Sequence, residues 1–151
     1  MVLEAPPGAG KTTAVPLALL DAPWLAGQKI LMLEPRRIAA RSAATYMARQ
    51  LGEEVGRRVG YRIRFESRPG SRIEVLTEGI LTRLVQDDPM LEGVGCVIFD
   101  ELHYLANAER GTVWEETLVL LPPEMPIVGL SATIDNIHEI AGWLGSIKKT
   151  D

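Results

Sequence analysis

Two rhythms of apolar residues run along this chain. Lys29-Ile30-Leu31-Met32-Leu33 and Cys96-Val97-Ile98-Phe99 are apolar almost without interruption, as expected of short strands buried on both faces. Met1-Val2-Leu3, Ile73 to Leu76 and Pro126 to Leu130 have the same character. Between them the spacing becomes helical: Thr13 to Asp21, an alanine-rich stretch from Ile38 to Leu51, Glu78 to Gln86, Gly111 to Leu121 and Asn136 to Leu144. One stretch differs. Arg57 to Phe65 sets Val59, Tyr61, Ile63 and Phe65 against Arg58, Arg62 and Arg64, which predicts a strand with one wet, basic face. Ser67-Arg68-Pro69-Gly70 then reads as a turn.

Strands and helices that alternate from end to end predict the α/β class, a mainly parallel sheet with helices on both faces. Right-handed crossovers put the carboxyl ends of all the parallel strands on one edge, where ligands bind in open sheets. The turns expected on that rim are Pro6–Thr12, Pro35–Arg37, Thr77–Gly79, Asp100–His103 and Ser131–Thr133.

The first of these turns carries the clearest chemistry. Ala5-Pro6-Pro7-Gly8-Ala9-Gly10-Lys11-Thr12 joins an apolar strand to a helix, the setting of a phosphate-binding loop with Ala5 where the usual pattern has its first glycine. Gly8 and Gly10 let the backbone turn its N–H groups toward phosphate oxygens. The helix beyond adds its positive end, Lys11 a charge for the β- and γ-phosphates, and Thr12 a hydroxyl for Mg²⁺. Asp100-Glu101 follows the apolar run Val97-Ile98-Phe99 directly. Asp100 is thereby the candidate Mg²⁺ ligand, and Glu101 the candidate general base for an attacking water.

Length and charge narrow the picture. At 151 residues, with 46% hydrophobic and 24% charged positions, the chain fits one globular domain. No apolar run approaches the roughly 18 residues of a membrane span, and no secretory pattern is present. Cys96 is the only cysteine, which excludes a disulfide framework and makes a reducing, cytoplasmic setting the default. The net charge of −4 excludes a wholly basic nucleic-acid-binding domain. Locally the balance reverses: from Arg36 to Arg72 there are ten arginines and only three acids, which suits a phosphate backbone lying along one side.

Taken together, these motifs resemble the superfamily-2 helicases. Gly8-Ala9-Gly10-Lys11-Thr12 is similar to their first motif, Asp100-Glu101-Leu102-His103 to their DExH box, and Ser131-Ala132-Thr133 to their third motif. Glu34-Pro35-Arg36-Arg37 and Thr77-Glu78-Gly79 resemble the nucleic-acid-contacting motifs between them. Residues 1 to about 100 look like the bacterial HrpB-type DEAH-box helicases. From about 100 to 144, the run Glu109-Arg110-Gly111-Thr112-Val113-Trp114 looks more like the superkiller-type RNA helicases.

The resemblance implies a RecA-like P-loop NTPase fold, a three-layer αβα sandwich, over residues 1–144, followed by a polar stub at 145–151. It implies an ATP-dependent RNA or DNA helicase in which ATP hydrolysis drives movement along a strand. Pro7, Gly8, Ala9, Gly10, Lys11, Thr12 and Thr13 would bind ATP, and Thr12 and Asp100 would hold Mg²⁺. Lys11, Asp100, Glu101 and His103 would be catalytic, His103 as a relay of nucleotide state. Pro35, Arg36, Arg37, Thr77, Glu78 and Gly79 would grip single-stranded RNA or DNA by its backbone, and Ser131, Ala132 and Thr133 would couple hydrolysis to movement. The family's second RecA-like domain is not found in this sequence. Since a completing arginine typically contributes about 10³–10⁵ in rate, negligible turnover is expected of these 151 residues alone. Two rivals remain: a binding module that never turns over, and a P-loop ATPase acting on protein, which leaves the arginine block without a role.

Overall fold

The computed structural model describes residues 2–4, 11–100 and 119–131. Seven strands form one sheet: β1 (Val2–Glu4), β2 (Lys29–Leu33), β3 (Val59–Ile63), β4 (Glu66–Arg68), β5 (Ile73–Leu76), β6 (Val94–Phe99) and β7 (Ile127–Ser131). Their order across the sheet is β1-β7-β6-β2-β5-β3-β4. Every pairing is parallel except that of β3 with β4. Three complete α-helices accompany them among the described residues: α1 (Lys11–Leu19), α2 (Arg37–Gln50) and α3 (Glu78–Asp87).

The continuous apolar runs are two-sided, as their sequence predicts. On β2, Ile30 and Met32 join the core beneath α2, while Leu31 and Leu33 join the opposite core with Leu81 and Val85 of α3. On β6, Cys96 and Ile98 face the first core and Val97 and Phe99 the second. Strands buried on both faces, as β2 and β6 are, are accordingly apolar almost throughout. The helices divide as the strand order requires. From β1 to β3 the chain moves one way across the sheet, with α1 and α2 on one face. From β5 to β7 it moves back, and α3 covers the other face.

α2 lies against β3 and β5 because its inward face is cut small. Ala40, Ala43, Ala44, Met47 and Ala48 recur at helical spacing and are all buried. α1 spans Pro16 in its interior. Proline donates no backbone hydrogen bond there, a cost that the packing of Val15, Leu17 and Leu19 on the first core offsets.

The stretch after β3 departs from the sequence reading. Phe65 does not continue the buried alternation of Val59, Tyr61 and Ile63. It is 88% exposed and has a positive φ of 70°. Strand β3 stops at Ile63, and Ser67 and Arg68, expected to open a turn, instead join Glu66 in β4, paired with β3 through Ile63↔Glu66, Arg62↔Ser67 and Tyr61↔Arg68. Gly60 and Gly70 allow the chain to fold back on itself: a Cβ on Gly60 would collide with the backbone of Arg68 and Gly70, and one on Gly70 with that of Gly60.

A buried charge cluster fastens this hairpin to the sheet. Glu74 on β5 is 2% exposed and accepts from Lys29 Nζ of β2 and Arg62 Nε of β3, both at 2.8 Å. It also accepts from the Gly70 backbone N–H at 3.2 Å. Three neighbouring strands are thus tied through one carboxylate. A buried carboxylate without such donors would carry a heavy desolvation cost.

Candidate nucleotide and nucleic-acid site

The parallel strands all end on one edge, and the candidate residues follow those ends. Across the sheet the rim reads Glu4 at the end of β1, Ser131 of β7, Asp100 after β6, Glu34 after β2, Thr77 after β5 and Arg64 after β3. Glu4 lies in register with Ser131. The Asp100 N–H donates to the Leu33 carbonyl at 2.9 Å, and the Glu34 N–H to the Leu76 carbonyl at 2.7 Å. These two bonds carry the ladder one residue past the strands and fix the first rim residues against their neighbours.

The rim has two halves. On the β1–β7–β6 side, Asp100 stands one residue past the apolar run of β6 and is only 4% exposed. Lys11, Thr12 and Thr13 open α1. Residues 5–10, with Pro7, Gly8, Ala9 and Gly10, lie outside the described residues, as do Glu101, His103, Ala132 and Thr133. The helices expected at Gly111–Leu121 and Asn136–Leu144, with Trp114 and Trp143, fall almost entirely outside them as well. Asp100 supplies a buried carboxylate oxygen, the kind of hard donor that Mg²⁺ takes once or twice while water and phosphate oxygens complete its shell.

The other half is fully described. Pro35, Arg37, Thr77, Glu78 and Gly79 line one open groove of about 1290 Å³ between the ends of β2, β5 and β3. Of the six residues expected to meet nucleic acid, only Arg36 is absent from its lining; it sits at the N-terminal cap of α2 with extended backbone. Two helices begin at this groove, α2 after Arg36 and α3 after Thr77, and neither cap side chain bonds to its own helix. Helix N-termini beside arginines form an anion-binding surface.

The groove is also lined by residues outside the six expected to meet nucleic acid, among them Arg64, Phe65, Glu66 and Arg83. Arg83 follows Gly79 by one helical turn, a spacing visible in the sequence. Arg64 and Phe65 form the loop of the β3–β4 hairpin, with the Arg64 guanidinium carbon 4.8 Å from the centre of the Phe65 ring. Neither residue is a typical turn former, which is why period-two spacing ran straight through them.

The arginine block also divides. Arg62 is held by Glu74, Arg58 by Glu53 and Arg41 by Glu66, and Arg72 donates to the Leu20 carbonyl at 2.9 Å. Arg37 and Arg64 of the block line the groove, joined by Arg83 of α3. Four of the ten arginines therefore serve the fold. Only part of the block faces a ligand.

The profile of the DEAD/DEAH box helicase family matches residues 1–140. The chain is 46% identical over 145 residues to the ATP-dependent RNA helicase HrpB of Escherichia coli, covering 90% of this chain and 17% of that protein. It is 34% identical over 149 residues to the probable helicase HelY of Mycobacterium tuberculosis, covering 95% of this chain and 16% of that protein. Superkiller complex protein 2 of Mus musculus is 44% identical over 73 residues, 48% of this chain and 6% of that protein. The likeness to HrpB thus runs nearly the whole length, and the superkiller likeness about half of it. Among solved structures, the E. coli DExH-box NTPase HrpB superposes with a TM-score of 0.76 at 43% identity, covering 92% of this chain and 18% of that one. The chain spans about one sixth of the length of the first two relatives.

Proposed function

The chain belongs to the DEAD/DEAH box helicase family, and from that premise we propose that it is the ATP-binding first RecA-like domain of an ATP-dependent RNA or DNA helicase. One observation carries this reading: the groove that collects Arg37, Thr77, Gly79, Arg64 and Arg83 on the same sheet edge as Asp100. A basic groove with helix N-termini beside it recognises a sugar-phosphate backbone without reading bases, so a single strand of RNA or DNA is the ligand it fits.

In this reading Pro7, Gly8, Ala9, Gly10 and Thr13 surround the phosphates of ATP, and Lys11 meets their charge. Thr12 and Asp100 hold Mg²⁺, and the chemistry that the ion supplies when bound is neutralisation of charge on the β- and γ-phosphate oxygens. Glu101 orients and deprotonates the attacking water. His103 and the Ser131-Ala132-Thr133 segment pass the nucleotide state to a second RecA-like domain, which the relatives' greater length can accommodate. Residues 1–144 form the nucleotide-binding unit, and 145–151 lie beyond it. No helix among the described residues is long and apolar enough to cross a membrane, and a buried lone thiol at Cys96 suits a reducing cytoplasm.

The test is ATP turnover by the full-length protein, with and without single-stranded RNA or DNA. Glu101→Gln is expected to retain nucleotide binding and lose strand-stimulated hydrolysis. Stimulated turnover that survives this change would remove Glu101 from the mechanism.

A further inference from the structure

An acid inside a basic groove needs a reason. Glu66 lines the groove with Arg37, Arg64 and Arg83, as does Glu78 at the start of α3, and its charge opposes the attraction of a phosphate backbone. The Glu66 carboxylate stands at the surface, 43% exposed, and both oxygens are engaged. One oxygen accepts from Arg41 Nη1 of α2 at 3.2 Å, and the other accepts from the hydroxyl of Tyr61, whose ring is buried in the core beneath α2. Glu66 thus ties the end of the hairpin loop to both the sheet and the helix.

What it holds in place is a strained loop. The pairing Ile63↔Glu66 leaves Arg64 and Phe65 as a two-residue connection, and Phe65 has a φ of 70°, in the left-handed region that L side chains with a Cβ avoid. Elsewhere among the described residues such positions are mostly glycine: Gly27, Gly52, Gly56 and Gly93 all have positive φ. Of the two other exceptions, Leu91 is buried in the core and Ala26 ends a 3₁₀ turn with its N–H on the Pro23 carbonyl. Phe65 has neither return, since its ring stands in solvent with the Arg64 guanidinium over it. A two-residue hairpin loop demands a positive φ, a place usually filled by glycine or asparagine; here it is filled by an exposed aromatic ring beside the groove, which points to a ligand.

We propose that Glu66 is a positioning residue of the nucleic-acid groove: with Tyr61 and Arg41 it clamps the β3–β4 loop so that Phe65 and Arg64 are presented to a bound strand, Phe65 as a stacking surface. The inference rests on the groove reading above and deepens it. It also makes a sign prediction that charge alone reverses. Removing an acid from a basic groove tightens phosphate binding if only charge matters; removing a clamp weakens it.

The experiment is binding of a short single-stranded RNA carrying 2-aminopurine, followed by anisotropy and by quenching of the fluorescent base. Loss of a stacked base costs about fivefold or more in affinity, so Phe65→Gly is expected to weaken binding at least that much and to reduce quenching, while melting no lower than the parent. Tyr61→Phe, which changes no charge, and Glu66→Ala are each expected to weaken binding and reduce quenching in the same way. In the Phe65→Gly background, Glu66→Ala is expected to cost nothing further, because both changes act through one loop. Tighter or unchanged binding by Glu66→Ala, or losses that simply add, would overturn the clamp. If Arg37→Ala weakens binding in that case, the groove stands without it. If Arg37→Ala is also without effect, the groove itself is refuted.

Discussion

Glu74 and Glu66 are two carboxylates with the same kind of partners and opposite surroundings. Glu74 is 2% exposed and gathers Lys29, Arg62 and the Gly70 N–H in the middle of the sheet. Glu66 is 43% exposed and joins Arg41 and Tyr61 at the edge of the groove. Burial decides what each can do. In the interior, a charge left without its partners cannot recover its hydration, so Glu74 governs whether three strands assemble. At the surface, water replaces a lost partner at little cost, so Glu66 can govern only where a loop points. Identical chemistry serves the fold in one place and the ligand in the other.

The sharpest way to break the comparison is to remove each acid in turn. Glu74→Ala leaves Lys29 and Arg62 facing a buried gap. Both cations are partly exposed and can relax toward water, so the loss is expected near the low end for broken buried pairs, about 3 kcal/mol, read as a drop in the urea midpoint. Glu66→Ala is expected to leave that midpoint within error of the parent. Equal losses would mean that burial does not separate the two.

Gly60→Ala tests the same side of the contrast through the backbone. Its Cβ would meet Arg68 and Gly70, the segment whose N–H is bound to Glu74. A destabilisation of about 2 kcal/mol is expected, within the range for overpacked sites. A neutral outcome would show that the hairpin shifts freely and that Glu74 does not fix it.

These effects mark what the sequence could and could not disclose. Strand and helix placement was legible because two-sided strands such as Lys29–Leu33 are apolar throughout, and α2 shows its alanine face at helical spacing. The rim was legible because each motif directly follows a strand. The hairpin was not, because Arg64-Phe65 turns without glycine, asparagine or proline. Nor were the roles of the arginines. Lys29 lies 45 residues from Glu74 and Arg41 lies 25 from Glu66, and only the folded sheet decides which cation each acid receives.

The surface bridge has its own pH window. The hydrogen bond from Tyr61, with help from Arg41 and Arg68, holds the Glu66 carboxyl below its ordinary value of 4.5. Its contribution is present above 4.5 and lost as pH falls through the depressed value. The same bond, together with burial, raises the Tyr61 phenol above 10.0, so that contribution is present below 10.0 and lost as pH rises through the raised value. In absorbance titration Tyr61 is expected to ionise above 10 in the parent and nearer 10 in Glu66→Ala. An unchanged titration would mean that the bond does not form in solution.

The smallest effect is a rate at Cys96. Burial pushes its thiol up to about 11, so disulfide reagents are expected to label it only when the sheet opens. Glu74→Ala should speed that labelling and Glu66→Ala should not; acceleration by both would erase the distinction.

The central claim is that Arg37, Arg64 and Arg83 meet the phosphates of a single strand, and its most direct measurement is the salt dependence of RNA binding. Each phosphate contact contributes about −0.7 to the slope of log K against log salt for a single strand. Alanine at all three positions is therefore expected to flatten the slope by about 2 while nucleotide affinity stays unchanged. A triple variant that kept the parent slope would contradict the account and place the strand elsewhere on the domain.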